Sequence, residues 1–331
     1  MPSGRPLLTI HTPDEDTIYT RTQTVVSAVS WLLPMGLYPV YSEASGRVRP
    51  VATWLIVAVT VIVSGWFWYR TEVGEDPAVL DHMLWSADRQ TVHDQIVRET
   101  QRESPDLSVQ EINQSLREQE VYVPGYEHRQ LVSHAFLHAD LLHLAGNMLF
   151  LLVIGTRVNN LIGNTATLGS YLLLAALAGI AWRMQTPSDQ IIPMLGASGA
   201  IMGLCGMYLV LLPLYKVYMV AWWRWGLIGK FRLSHKVFPM PGYAVVLFYI
   251  AWDVLWLVLG AETGVAHWAH LGGMMAGAAL ALVLLATRLV YTPGNAFSLI
   301  LGKYAWSMVG KPREGQGLLT AWIPSPLRSR R

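Results

Sequence analysis

The chain has 331 residues, of which 53% are apolar and 14% charged, with a formal net charge of +2. That apolar share exceeds what a soluble core of this length requires and points to a polytopic membrane protein, with the lipid bilayer as a partner and no nucleic acid expected. The single cysteine, Cys205, excludes a disulfide framework.

Residues 1–50 begin polar and charged, so no cleavable signal peptide is expected there. Within them the apolar stretch 23–41 is broken by Pro34 and Pro39 and is expected to lie in the membrane interface. Six apolar runs follow, at about 51–69, 141–158, 165–182, 198–214, 243–260 and 266–286, each near the roughly 20 residues that span a bilayer. The expected fold is therefore an all-α membrane protein with six transmembrane helices and a long outer loop between the first two.

Charge is segregated along the chain. The loop 70–130 carries thirteen Asp and Glu against six Arg, whereas 214–242 carries Lys216, Arg224, Lys230, Arg232 and Lys236 with no acid. Residues 287–331 carry seven basic residues against Glu314 alone. The positive-inside rule then puts both termini and the 214–242 connection in the cytoplasm and the acidic loop outside. The chain divides into a cytoplasmic N-terminal segment (1–50), a six-helix membrane domain (51–286) that includes the extracytoplasmic loop 70–130, and a cytoplasmic basic tail (287–331). The loop is too long for a bare connection. Ser108-Val109-Gln110-Glu111 reads as a capping box that opens a helix with Ile112 and Leu116 on one face. Trp222-Trp223-Arg224-Trp225 reads as an interface anchor.

Helices two, four and six run in the same direction, so their N-terminal ends share one side of the bilayer. His143 stands near the head of helix two, Ser198 at the head of helix four, and His270 about one turn into helix six. Asn147 follows His143 at i+4 on the same helical face. A serine nucleophile, a histidine base and a set of donors for an oxyanion are the parts that amide hydrolysis needs. Gly196 and Gly199 flank the serine where a side chain would obstruct a substrate or a tight turn. Gly199/Gly203 and Gly273/Gly277 are GxxxG pairs that let helices four and six approach closely.

These residues resemble the rhomboid family of intramembrane serine proteases. The matching elements are His138-Ala139-Asp140-Leu141-Leu142-His143-Leu144-Ala145-Gly146-Asn147, Gly196-Ala197-Ser198-Gly199, and Ala269-His270-Leu271-Gly272-Gly273 with Gly277. They occur in the family's order on spans two, four and six, and the resemblance covers about 51–286. It implies a rhomboid-like bundle and a dyad of Ser198 and His270 without a triad acid. It implies an oxyanion site of the Ser198 backbone, His143 and Asn147, and transmembrane protein substrates cut near the outer face. Gly196, Gly199, His138, Met202, Gly273 and Gly277 are the supporting residues, with His138 bracing helix two and the first loop. The chain departs from the family's pattern in having Met202 where many members carry an aromatic residue, Asn159 where a glutamate is common, and no Trp-Arg pair in the first outer loop.

Taken singly, Ser198 is a helix cap, His270 a packed histidine and Asn147 interhelical glue; their conjunction carries the catalytic reading. Asp253, in the middle of span five, invites a catalytic role, but a structural hydrogen bond is the expectation. Two other classes compete. His134, His138, His143, His267 and His270 could ligate a metal or haem, but no HExxH motif supports this, and neither metal nor cofactor is expected. A non-catalytic rhomboid-like adaptor would have no need of an intact dyad.

Overall fold

The computed structural model describes residues 35–42, 48–73, 77–119, 121–187, 190–225, 232–260, 264–290, 292 and 294–301. Residues 23–34 of the interfacial stretch and most of the basic tail lie outside them.

Among the described residues, five helices are long and apolar enough to cross a membrane. They are α1 (Val51–Val73), α5 (Leu141–Ile162), α6 (Asn164–Gln185), α8 (Gly242–Leu259) and α9 (His267–Ala286). The run expected as the fourth span forms α7 (Ser198–Leu211), which ends after 14 residues. At 1.5 Å per residue it is about 21 Å long, against a hydrocarbon core of about 30 Å. Twelve of its residues are buried, which makes it the centre of the bundle. Between α1 and α5 lie the two-residue strand β2 (Leu84–Trp85), the helices α2 (Arg89–Glu103) and α3 (Val109–Glu118), and the single turn α4 (Gln130–Ser133). A short helix α10 (Ala296–Leu301) follows α9.

The all-α expectation is incomplete. Strand β1 (Met35–Ser42) pairs antiparallel with β4 (Lys216–Trp225), which pairs antiparallel with β5 (Arg232–Pro241). Trp222, expected as an interface anchor, is instead buried and stacks on Tyr38 with ring centroids 5.2 Å apart, while Trp223 next to it is exposed. The strand alternation decides which of the two tryptophans faces inward. Pro39 precedes a shift of register in β1, the kind of irregularity at which a strand tolerates proline. Ser42 Oγ and Tyr208 Oη, 2.8 Å apart, tie the sheet to α7.

Side chains from elsewhere satisfy the first backbone donors of α1. Asn159 Oδ1 accepts from the Thr53 N–H and hydroxyl, each at 3.1 Å, and Asn164 Oδ1 accepts from Ala52 N at 3.0 Å. Asn159 Nδ2 donates to that same Asn164 oxygen at 2.9 Å. The position where a glutamate is common in the resembling family is thus a buried amide that can both accept and donate, which a carboxylate cannot.

The α7/α9 contact is backbone on backbone. A Cβ on Gly273 would overlap the carbonyl oxygen of Gly199, one on Gly277 that of Gly203, and one on Gly206 that of Met274. The long connection after α1 is folded, and its expected capping box is present: Ser108 Oγ accepts from Glu111 N at 3.3 Å and Glu111 Oε2 from Ser108 N at 2.8 Å. Ile112 on that helix is buried. Arg183, near the end of α6, clasps this region by donating to the carbonyls of Trp85 (3.1 Å) and Ser86 (3.2 Å), with its guanidinium 3.4 Å from the centroid of the Tyr126 ring.

Candidate functional site

The segment before α7 is held from both sides. Strand β3 (Pro193–Met194) pairs with β2. The Gly196 N–H donates to the His134 carbonyl at 2.9 Å. The Ala197 N–H donates to His138 Nε2 at 3.4 Å. His138 Nδ1 faces Ser64 Oγ at 3.1 Å, and that hydroxyl donates to the Phe136 carbonyl at 3.0 Å. An Nε2 that accepts from Ala197 leaves the ring proton on Nδ1, donated to Ser64, so one tautomer satisfies the whole chain of bonds. Trp68 Nε1 holds the His138 carbonyl at 2.6 Å. His138 therefore braces α1 against the residue that precedes Ser198.

Gly196 has φ +127°, a conformation open to glycine and strained for other residues. A Cβ there would stand 2.8 Å from His143 Cε1 and 3.9 Å from Ser198 Oγ. The same bare Cα therefore faces both the serine and His143. Ala197, in helical conformation, occupies the cap position of α7 and gives no side-chain cap. Ser198 is the first residue of the helix, it is partly exposed, and its Oγ makes no hydrogen bond among the described residues. The helix-cap explanation for this serine therefore fails.

His143 and Asn147 project from α5 toward the same layer. The Asp140 carboxylate caps α5 by accepting from the His143 N–H at 2.8 Å. The His143 ring meets that of His138 edge-on at 4.9 Å and lies close enough to His270 for their charges to interact. Asn147 is buried, and its Nδ2 has no hydrogen-bond partner among the described residues. An unsatisfied buried amide costs about 1–3 kcal/mol, and among the described residues Asn147 Nδ2 stands as a donor without an acceptor in the same helix layer as His143.

His270 enters from α9. Across the α7/α9 seam a Cβ on Gly199 would lie 3.5 Å from Ala269 Cβ, so the neighbours of Ser198 and His270 are in contact. The hydrogen bonds of His270 run the other way: Nδ1 donates to the Asp253 carboxylate at 3.0 Å (Oδ1) and 3.2 Å (Oδ2). His267 Nδ1 meets the same Oδ1 at 2.6 Å. All three side chains are buried. Among the described residues they are also a group whose possible metal-ligating atoms lie within 4.8 Å of one another. The 2.6 Å separation is that of a hydrogen bond, shorter than the about 3.3 Å between two ligands on a tetrahedral ion with bonds of about 2.0 Å. His134, His138 and His143 stand in other hydrogen-bonded or ring contacts and do not converge on this carboxylate.

The structure thus gathers Ser198, His143 and His270 around the head of α7, with Asn147 one turn deeper on α5. Met202 is buried in the main core one turn below the serine. Gly199, Gly273 and Gly277 line the α7/α9 contact. Sequence reasoning missed the contact from Asp253 to the candidate base. The signal available was a mid-span acid one helix before two histidines spaced i, i+3, which a helix places on one face. It also missed Ser64 and Trp68 as the anchors of His138.

Residues 126–287 match the family model described as Rhomboid domain. The chain is 31% identical over 159 residues to "Rhomboid protein 1, mitochondrial" of Saccharomyces cerevisiae, an alignment that covers 44% of this chain and 39% of that protein. The chain therefore spans well under half the length of that curated relative. Together with the five apolar helices, these matches make the chain an integral, multi-pass membrane protein.

Proposed function

We propose, on the premise that this chain belongs to the rhomboid family, that it is an intramembrane serine endopeptidase acting on transmembrane proteins within the bilayer. In this reading Ser198 Oγ attacks the scissile carbonyl and passes its proton to Nε2 of His270. The tetrahedral oxyanion is met by the backbone N–H of Ser198 in the first turn of α7, by His143 and by Nδ2 of Asn147, which has no partner among the described residues. His270 then returns the proton to the leaving amine, and a water hydrolyses the acyl-enzyme by the same route. The single observation that carries this reading is the Ser198 hydroxyl, uncommitted among the described residues, at an uncapped helix head and beside Gly196, whose bare Cα borders both that hydroxyl and His143.

Six spans complete the topology, with the short α7 counted as the fourth. The basic 214–242 connection and both termini then face the cytoplasm, and the site opens toward the opposite side. Cleavage of a model transmembrane substrate in liposomes tests the reading. Ser198→Ala and His270→Ala should each lose several orders of magnitude in rate with melting unchanged within a few degrees. Wild-type turnover by Ser198→Ala would overturn it, and binding of membrane helices without any cleavage would favour an adaptor.

A further inference from the structure

The family resemblance supplies a base with no acid behind it, yet a carboxylate stands behind this one. Asp253 lies about two turns from the end of α8, buried among apolar helices, where an unpartnered carboxylate would be costly. Its only mapped hydrogen-bond partners among the described residues are His267 and His270. Both oxygens lie within hydrogen-bond distance of His270 Nδ1. A carboxylate can only accept here, so Nδ1 must carry the hydrogen. With the proton on Nδ1, a neutral His270 presents Nε2 as a lone pair, which is the state a general base needs toward Ser198.

We infer that Asp253 is a positioning residue of the hydrolytic site, one that fixes the Nδ1–H tautomer and the ring orientation of His270. The inference rests on the protease reading above and deepens it. His267 is the second donor to the same carboxylate, so the acid cannot rotate away from His270 without straining the 2.6 Å bond between Oδ1 and His267. The chemistry remains that of serine and histidine; the carboxylate neither touches substrate nor receives a proton. It stabilises the imidazolium that forms when Ser198 is deprotonated and spares the ring a reorientation at that moment.

The test uses the full chain in detergent or liposomes. Asp253→Asn should lower kcat by roughly 100-fold or more with KM changed less than about 3-fold, because an amide can present a donor to Nδ1 and favour the wrong tautomer. Asp253→Glu should recover to within about 10-fold of the parent, as a carboxylate is restored. Labelling of Ser198 by a fluorophosphonate should slow in parallel with kcat. Unaltered kcat in a folded Asp253→Asn protein would overturn the inference, as would equal losses for the Asn and Glu variants. A second measurement needs no Asp253 variant: nitrogen-15 spectra of histidine-labelled protein, with His270 identified by its loss in His270→Gln. A neutral His270 protonated at Nδ1 supports the inference, and one protonated at Nε2 overturns it. Failure of the protease reading would register separately, as cleavage that survives Ser198→Ala whatever the tautomer.

Discussion

His138 holds the backbone of Ala197, its Nε2 accepting the amide hydrogen at 3.4 Å while its Nδ1 rests on Ser64 of α1. A residue of the first loop thus sets where the serine's helix begins. His138→Phe keeps a ring in the space and removes both bonds. The expected outcome is a fall in kcat of about 10- to 100-fold from misplacement of Ser198, with smaller change in KM, measured on a transmembrane substrate in liposomes.

The two histidines that brace this loop also predict acid sensitivity. Burial pushes His134 down to about 4 and His138 down to about 3. In the unfolded chain both titrate near 6.5, so below that pH the unfolded state binds protons that the folded state refuses. Stability is complete above about 6.5 and should decline as pH falls toward 4, by up to about 1.4 kcal/mol per pH unit for each histidine. Thermal melts between pH 7.5 and 4.5 check this, and His138→Phe should flatten the slope.

Asn147 should separate rate from stability. Asn147→Ala removes a buried amide whose Nδ2 has no partner among the described residues, so the melting temperature should hold or rise. If that amide meets the oxyanion, kcat should fall by up to about 100- to 1000-fold with KM nearly constant. A parallel loss of substrate binding would instead mark Asn147 as part of the substrate-contact surface.

The α7/α9 seam should be intolerant of bulk. Gly277→Val puts a side chain into the Gly203 carbonyl, and a loss of more than about 3 kcal/mol is expected, read as a lowered melting temperature and poor recovery from the membrane. Gly65→Ala in α1 meets nothing within 4 Å and should be neutral or stabilising by up to about 1 kcal/mol.

Much of the candidate site is legible in the sequence because its residues are marked locally. Ser198, His143 and His270 each sit near a helix head, and the alternating direction of apolar runs brings those heads together. The sheet was not readable in the same way. Met35 pairs with Trp223 and Ser42 with Val217, partners from opposite halves of the chain, and nothing local to either segment specifies such pairing. The inward–outward alternation of Trp222 and Trp223 carried a period-2 signal, but tryptophans beside an arginine fit a membrane interface equally well. The length of α7 was hidden for a different reason. Apolar residues continue past Leu211 to Pro213 and Leu214, so hydropathy runs on where the helix stops. Asp253 is legible as a mid-span acid, but its meaning depends on which face of α8 meets α9, and that face is set by packing.

Helix α8 is the least buried of the five long helices, at 22%, with Leu247, Trp252, Leu255 and Val258 turned outward. Its first residue follows β5 without a linker, so the sheet anchors that end firmly. Toward the other end the mapped polar attachment is Asp253 to the two histidines of α9. The acceptor for His270 thus sits on the arm of α8 that lies farther from the sheet. An outward displacement of that arm would withdraw the carboxylate from the imidazole, so under the protease reading the seating of α8 against the bundle and the readiness of the base would be one and the same variable.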